Sequence, residues 1–169
     1  METKTYFFGP DSHFFKQGFY MQDENKNIVY EAKMLKQSLI GSMNFEFNNH
    51  VSNKVEEHKI GHTLTTEESG IFGAFSTKSS FKYDGKNIWD YLHEEGIRID
   101  SSLAKGKIGM SYTVSLKGNV IATIEMASMN GKSIITNNHC FNVTTNIENI
   151  DLVFLTTFAI ARTEQTFYD

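Results

Sequence analysis

The stretch Ile150-Asp-Leu-Val-Phe-Leu-Thr-Thr-Phe-Ala-Ile-Ala161 decides the fold, because it has the pattern of a helix that is apolar on nearly every side. Such a helix belongs in a protein interior or in a membrane. Its twelve residues are too few to span a bilayer, which needs about 20, and polar residues follow from Arg162 onwards. We therefore expect a core helix at about residues 149–165 that is buried in protein. Its apolar side chains are Ile150, Leu152, Val153, Phe154, Leu155, Phe158, Ala159 and Ile160.

The residues before this helix have the pattern of successive β-hairpins. Short segments with alternating apolar and polar residues are interrupted by clusters of Asn, Asp and Gly, which is the hairpin signature. The clearest strand pairs are residues 19–22 with 28–33, 44–47 with the strand that begins at Val55, and 111–116 with 120–124. This pattern predicts an antiparallel meander.

The number of predicted strands and the apolar helix together predict a closed barrel. At about 10–12 residues per strand and turn, the chain supplies some 11–13 strands before the helix. A barrel of about eight strands is filled by its own side chains, whereas a helix is about 10–12 Å across and requires a wider one. An eleven-stranded can around a central helix is a known solution. We therefore expect one mainly β domain over residues 1–169.

One further helix is predicted between the hairpins. Asn87 can cap a helix whose third residue is the acidic Asp90, and Gly96 can end it. The pattern predicts a short helix near residues 88–95. A strand is the alternative, because apolar and aromatic residues also alternate here.

Charge and composition exclude several classes of protein. Sixteen basic and twenty acidic residues give a net charge of −4, and the basic residues are scattered, which argues against a nucleic-acid partner. The single cysteine, Cys140, excludes an internal disulfide and favours a reducing compartment. The N-terminal residues have neither the basic patch nor the apolar run of a secretory signal. These features predict a cytoplasmic protein without a transmembrane segment.

Three segments carry a family resemblance: FYMQDENKNIVYEAK at residues 19–33, SYTVSLKGNVIATIEMAS at 111–128 and HCFNVTTNIENIDLVFLTTFAIARTEQ at 139–165. Together they resemble the LURP-one-related, tubby C-terminal-like superfamily, to which phospholipid scramblases are related. The resemblance spans roughly residues 15–165 and implies a closed barrel of about twelve strands around a hydrophobic C-terminal helix. It also implies membrane association, since tubby-type members bind phosphoinositides.

The chain departs from this family in its charged residues. No segment brings three or more Lys or Arg residues together as a tubby-type lipid pocket would, and the Cys-rich palmitoylation stretch of scramblases is absent. A fold does not fix a function. The resemblance therefore implies the barrel more directly than it implies a lipid ligand.

His58 and His62, with Glu56 and Glu57 before them, are the best candidate metal ligands. On a strand, residues four apart face the same side but lie about 13 Å from each other, too far to share one ion. On a helix they could converge, but Gly61 disfavours a helix and the carboxylates are not placed as in H-E-x-x-H. The spacing predicts no metal site.

Two other motifs also have simpler explanations. Residues 130–133, Asn-Gly-Lys-Ser, resemble the end of a phosphate-binding loop, but Met126 stands where that loop needs glycine, and Asn-Gly is a strong turn signal. Cys140 follows His139, yet neighbours on a strand point to opposite faces, so the pair is not placed for thiol activation. We find no catalytic constellation and expect a protein that is not an enzyme and has no cofactor.

The segment of residues 70–75, Gly-Ile-Phe-Gly-Ala-Phe, is the candidate for a membrane contact. Its glycines suit a loop, its large apolar side chains can enter the lipid interface, and two lysines follow. Alternatively, these apolar residues pack in the barrel wall. The sequence thus predicts a non-enzymatic binding module for an anionic membrane surface or, alternatively, a soluble protein-interaction domain with an unidentified partner. The predicted contact residues are Ile71, Phe72, Phe75, Lys78 and Lys82.

Overall fold

The computed structural model describes residues 2–13, 16–37, 42–69, 74–103, 110–127 and 140–165. These residues form one sheet of eleven antiparallel strands and two α-helices. The mainly β class and the C-terminal helix are therefore confirmed, and the described part of the chain contains eleven strands where about twelve were predicted.

The strands, in chain order, are β1 (Lys4–His13), β2 (Lys16–Gln22), β3 (Ile28–Gln37), β4 (Ser42–Asn49), β5 (Lys54–Ser69), β6 (Ala74–Tyr83), β7 (Lys86–Asn87), β8 (Ile97–Leu103), β9 (Met110–Leu116), β10 (Asn119–Met126) and β11 (Phe141–Thr145). Helix α1 (Ile88–Glu94) connects β7 to β8. Helix α2 (Ile150–Gln165) follows a 3₁₀ turn, Ile147–Asn149.

The sheet is a meander whose first strand is also paired with its last. The spatial order is β7-β6-β5-β4-β3-β2-β1-β11-β10-β9-β8, with the pair β1 and β11 aligned from Lys4 opposite Thr145 to Phe8 opposite Phe141. This leaves β7 and β8 at the two edges, and α1 joins them in the chain. No strand pairing within the described ranges links β6 or β7 to β8.

Helix α2 is buried over most of its described side chains, as its sequence predicts. Every residue from Val153 to Arg162 is buried, whereas Asp151 in the first turn is exposed and Leu152 is partly exposed. Burying apolar side chains around the whole circumference of a helix removes far more surface from water than burying one stripe. The contact of this helix with the sheet therefore contributes strongly to stability.

Aromatic side chains from several strands surround α2. Phe154 packs against Tyr30 of β3 and Phe8 of β1, with ring centroids 4.2 and 5.4 Å away. Phe158 packs edge-on against Phe19 of β2 and Phe45 of β4, at 5.3 and 5.5 Å. The offset and edge-on ring arrangements are the favourable ones, so the helix and the sheet hold one another in a fixed register.

The polar residues of α2 are accommodated inside the core. The hydroxyls of Thr156 and Thr157 donate to the carbonyl oxygens of Leu152 and Val153, both at 2.7 Å, which satisfies them within the helix. Arg162 is 7% exposed and its guanidinium lies 5.6 Å from the centroid of the Phe81 ring. The polar sequence that begins at this residue therefore does not mark the point where the helix leaves the interior.

Helix α1 forms where the sequence places it. The Asn87 side chain accepts hydrogen bonds from the backbone N–H groups of Trp89 and Asp90, which caps the N-terminus. Gly96, with φ of +89°, donates its N–H to the carbonyl of His93 after the last turn. Only glycine adopts this backbone conformation without strain. The helix prediction for residues 88–95 is thus confirmed, and the strand alternative is wrong.

The alternation of strand direction gives the sheet two ends. We call the end where α2 begins the acidic end; it carries the connections at residues 23–27, 50–53, 84–85, 88–96, 117–118 and 146–149. We call the opposite end, where α2 finishes, the arm end. At the arm end, the described segments of the chain stop at residues 13, 37, 69, 103 and 127. The side-chain amide of Asn49 donates a hydrogen bond to Asp151 at 2.9 Å, which fixes the start of α2 at the acidic end.

Replacing Phe158 with alanine tests the role of α2. Because Phe158 is 1% exposed and contacts three aromatic rings, we expect a loss of about 3–5 kcal/mol in the free energy of unfolding. The control Val120→Ala, at a side chain 66% exposed, should change it by less than about 0.5 kcal/mol. Chemical denaturation of both variants measures the difference. Equal stability of the two would contradict a core built around α2.

Candidate functional site

A two-stranded arm extends the sheet beyond its arm end. Strand β4 pairs with β5 only as far as Gly61, which lies opposite Ser42. Beyond that point residues 62–69 of β5 pair with residues 74–81 of β6, and no other described strand pairs with either segment. Eight residues of strand span about 26 Å. The arm is therefore a long two-stranded ribbon within the described part of the chain.

The predicted contact residues lie at different levels of this arm. Ile71 and Phe72 lie outside the described residues, in the connection between Ser69 and Ala74, which are opposite each other. Phe75 is placed opposite Glu68, so the predicted loop at residues 70–75 is wrong at its C-terminal end: β6 already begins at Ala74. The strand starts there because β5 supplies a pairing partner over its full length.

The two lysines are also separated along β6. Lys78 lies opposite Thr65 within the arm, whereas Lys82 is exposed and lies opposite Gly61, where the arm leaves the sheet. Seven residues of strand, or about 23 Å, separate Phe75 from Lys82. The structure therefore does not bring Lys82 to the tip of the arm together with the apolar residues.

His58 takes part in an ion-pair cluster at the acidic end. Its Nδ1 lies 2.7 Å from Oδ2 of Asp84, while Oδ1 of Asp84 accepts the backbone N–H of Lys59 at 2.8 Å. Its Nε2 lies 3.8 Å from a carboxylate oxygen of Glu56, and its ring stacks on Tyr83 at 4.5 Å. The cluster thus fastens the turn after β6 to strand β5.

This arrangement contains an oriented imidazole but no nucleophile. A carboxylate on Nδ1 fixes the ring so that Nε2 can act as a base, yet the group that faces Nε2 is the carboxylate of Glu56 and not a hydroxyl or thiol. The sequence did not predict the cluster, because Asp84 is 26 positions from His58. The sequence indicates only the turn at Asp84-Gly85, and not the contact of that turn with His58.

The structure describes the side chain of only one of the two candidate metal-binding histidines, His58. Within the described ranges no group of three or more His, Cys, Asp or Glu residues is placed to hold a metal ion. The side chain of His62 lies outside the described part. His58 is directed to Asp84 and Glu56. Residues 58 and 62 both belong to the extended strand β5, and residues four apart on a strand are too far from each other to share one ion.

Two tyrosines close to this cluster are shielded from water. Burial raises the pKa of Tyr30, and the nearby carboxylate of Asp151 raises it further. Burial also raises the pKa of Tyr83, whose ring lies 5.0 Å from that of Tyr91 on α1. Both phenols therefore stay neutral at physiological pH and serve as packing and hydrogen-bonding groups.

A cleft opens at the acidic end, next to the N-terminal strand β1. Its volume is about 1000 Å³, and the rings of Phe7 and Tyr20 lie 6.2 Å apart in its wall. The pKa of Asp23 is lowered chiefly by hydrogen bonds from Asn27, so this carboxylate remains ionised. A lining of this charge does not suit an anionic headgroup. Its charged residues are Glu2, Asp23 and Glu24 against Lys4 and Lys26.

Cys140 is a buried structural thiol. It is 1% exposed, and burial raises its pKa to about 11, so the reactive thiolate is disfavoured. Its carbonyl accepts the N–H of Ala127 at 2.8 Å, which joins the ends of β10 and β11. His139 and the Asn-Gly-Lys-Ser motif at residues 130–133 lie outside the described residues.

No protein-family model and no curated protein matches the chain. No helix in the described ranges is long and apolar enough to cross a bilayer. The function must therefore be argued from the geometry of the sheet and its two ends.

The burial of Cys140 predicts that this thiol resists modification. At pH 8 the native protein should react with Ellman's reagent only as fast as it unfolds, because the thiol is both inaccessible and neutral. Addition of guanidinium should release one fast-reacting thiol per chain, since Cys140 is the single cysteine. Rapid stoichiometric reaction of the native protein would show that the site is open.

The strand geometry at His58 predicts that folding requires no metal. Elemental analysis of the purified protein should show less than stoichiometric zinc, and EDTA should leave the melting temperature unchanged. Stoichiometric zinc that is lost in the variant His58→Ala would contradict this.

Proposed function

We propose that the protein is a non-enzymatic, tubby-like binding module on the cytoplasmic side of a membrane, and that its arm end contacts the anionic surface. The observation that carries this proposal is the difference in sequence between the connections at the two ends of the sheet. The proposed contact centres on Ile71 and Phe72, in the connection between Ser69 and Ala74.

The segments that connect the strands at the arm end have basic and apolar sequences. The connections at residues 14–15, 38–41, 70–73, 104–109 and 128–139 lie outside the described residues, but the strand ends that they join are all at this end. Their sequences contain three lysines and no acidic residue, together with adjacent apolar pairs. The lysines are Lys105, Lys107 and Lys132; the pairs are Phe14-Phe15, Leu39-Ile40, Ile71-Phe72 and Ile134-Ile135.

The opposite end has the reverse character. Its connections contain seven carboxylates and two lysines. An anionic surface repels the connections of this end and attracts those of the other, which favours one orientation even though the net charge is −4 and the arm itself carries Glu67 and Glu68. The acidic residues are Asp23, Glu24, Asp84, Asp90, Glu94, Glu95 and Glu148; the lysines are Lys26 and Lys117.

The expected binding free energy on a membrane requires both electrostatic attraction and insertion of apolar side chains. Each lysine near an anionic membrane contributes about 1 kcal/mol, so three lysines give weak binding on their own. Transfer of one large apolar side chain out of water adds about 1.5–3 kcal/mol. Insertion of Ile71 and Phe72 would therefore raise the affinity from marginal to measurable at low salt.

The closed tubby-like barrel is part of the same proposal. Helix α2 contacts strands on both sides of β1, from β2 and β4 on one side to β10 and β11 on the other. Helix α1, between the two edge strands, contacts α2, β6 and β8. These contacts support a sheet that curves around α2 with α1 at the seam. An interior filled by α2 leaves binding, and not catalysis in a lumen, as the expected activity.

A protein-interaction domain is the second candidate, and the arm is the observation that favours it. A two-stranded ribbon is only marginally stable by itself. The outer edges of β5 and β6 in the arm lack a described partner, and such edges can accept a strand from another protein. This candidate predicts binding that does not depend on lipid.

Partitioning onto vesicles tests the membrane contact. The wild-type protein should sediment with vesicles that contain phosphatidylserine at low salt, and less at high salt because ions screen the attraction. Replacing Ile71 and Phe72 with serine should reduce partitioning by about tenfold or more, given the transfer energies of two large side chains. The matched control is the double variant Val51→Ser with Ile147→Ser, which changes two exposed apolar residues at the acidic end.

A second pair of variants tests the charge. Lys105→Glu with Lys107→Glu should abolish binding to anionic vesicles, whereas Lys26→Glu with Lys117→Glu, which makes the same change in net charge at the other end, should have a smaller effect. If the wild type fails to bind anionic vesicles at low salt, the membrane function is wrong. If both charge variants behave alike, the assignment of the arm end is wrong.

A further inference from the structure

Strand β8 is an edge strand with an unpaired side. It pairs with β9 along its length, from Ile97 opposite Leu116 to Leu103 opposite Met110. On its other side no described strand pairs with it. An unpaired edge presents backbone donors and acceptors that can bind another strand. This edge is separate from the arm and is built from described residues.

A groove runs along this edge between β8 and α1. Its volume is about 540 Å³, and its walls combine apolar side chains with charged ones. Ile97 and Leu92 are buried, Trp89 and Ile99 are partly buried, and these form the apolar floor. The charged and polar lining residues are Asp90, His93, Arg98 and Asp100.

The exposed charges of β8 are placed symmetrically about one residue. Arg98 and Asp100 are both exposed, have opposite charge and flank Ile99. Neither makes an ion pair with another described residue. In a strand they lie on the same face, while Ile99 lies on the other. Charges on an edge strand ordinarily discourage pairing, but this pattern complements itself when the strand is turned around.

We propose that two copies of this chain associate through β8, antiparallel about a two-fold axis at Ile99. In this register Arg98 of each copy lies directly opposite Asp100 of the other, so both cross-strand pairs are attractive. The two Ile99 residues face each other on the inner side. A two-fold contact uses the same patch on both partners, and only a self-complementary strand gives two favourable charge pairs from a single site.

The orientation of the dimer follows from the axis. Because the two β8 strands run antiparallel, the arm end of one copy points away from the arm end of the other. One dimer therefore presents its two arms in opposite directions and gains no second contact on a single flat surface. This association goes beyond the proposed membrane contact and does not depend on it, but it requires that the outer edge of β8 stays unpaired beside α1 at the seam of the proposed barrel.

Charge reversal on β8 tests the proposal. Sedimentation equilibrium of the wild type should show a reversible monomer–dimer equilibrium. Arg98→Asp and Asp100→Arg should each raise the dissociation constant by about tenfold or more, because each places like charges opposite one another in both pairs. The double variant with both changes restores the attractive pairs and should dimerise like the wild type. The control Glu24→Arg, an exposed reversal on the turn after β2, should leave the equilibrium unchanged.

Mixing the two single variants provides a decisive arm of the experiment. One variant has two acidic residues at these positions and the other has two basic ones, so they should form a heterodimer while each alone remains monomeric. Trp89, the only tryptophan, borders the groove, and its fluorescence should change with dimer formation. Melting curves establish that each variant is folded.

Three outcomes would overturn the proposal. The first is a wild-type protein that stays monomeric up to about 1 mM, because the dissociation constant of a dimer would then be weaker than that concentration. The second is a dimer that both single variants leave intact, which would place the interface elsewhere. The third is a double variant that remains monomeric while folded, since the charge pairs would then not be opposite one another.

Discussion

The burial of α2 on all its sides is the constraint on which the rest of the structure depends. A helix without a polar face cannot lie on the surface of a sheet, because its outer side would expose apolar residues to water. Strands from both halves of the meander must therefore contact it. Phe154 and Phe158 meet aromatic rings from four strands, Phe8, Phe19, Tyr30 and Phe45. The pairing of β1 with β11 brings these two halves together.

The same constraint determines where function can reside. Because α2 packs against the sheet, the sheet surface that it covers is closed to ligands. The polar cluster of His58, Asp84 and Glu56 illustrates this limit: the imidazole is oriented, but its free nitrogen faces a carboxylate. Its effect is to fix a turn. The two contacts that we propose are at the arm end and along β8.

An antiparallel meander also sorts residues between two ends. Successive connections alternate between the ends, so residues that are scattered in the sequence are gathered in space. The turns with Asp23 and Asp84 lie at the same end for this reason. A net charge of −4 thus conceals a polarity that a sum over the chain does not reveal, and this polarity is the basis of the proposed orientation on a membrane.

Local sequence by itself determined the elements with short-range causes. The apolar periodicity of α2, the Asn87 cap and Gly96 terminus of α1, and the Lys117-Gly118 turn each depend on residues a few positions apart, with both turn residues at positive φ. Tertiary structure alone decided what depends on pairing between distant segments: the start of β6 at Ala74, the position of Lys82 at the base of the arm, and the contact of His58 with Asp84. Such contacts are set by strand register and by closure of long loops, which no local pattern encodes.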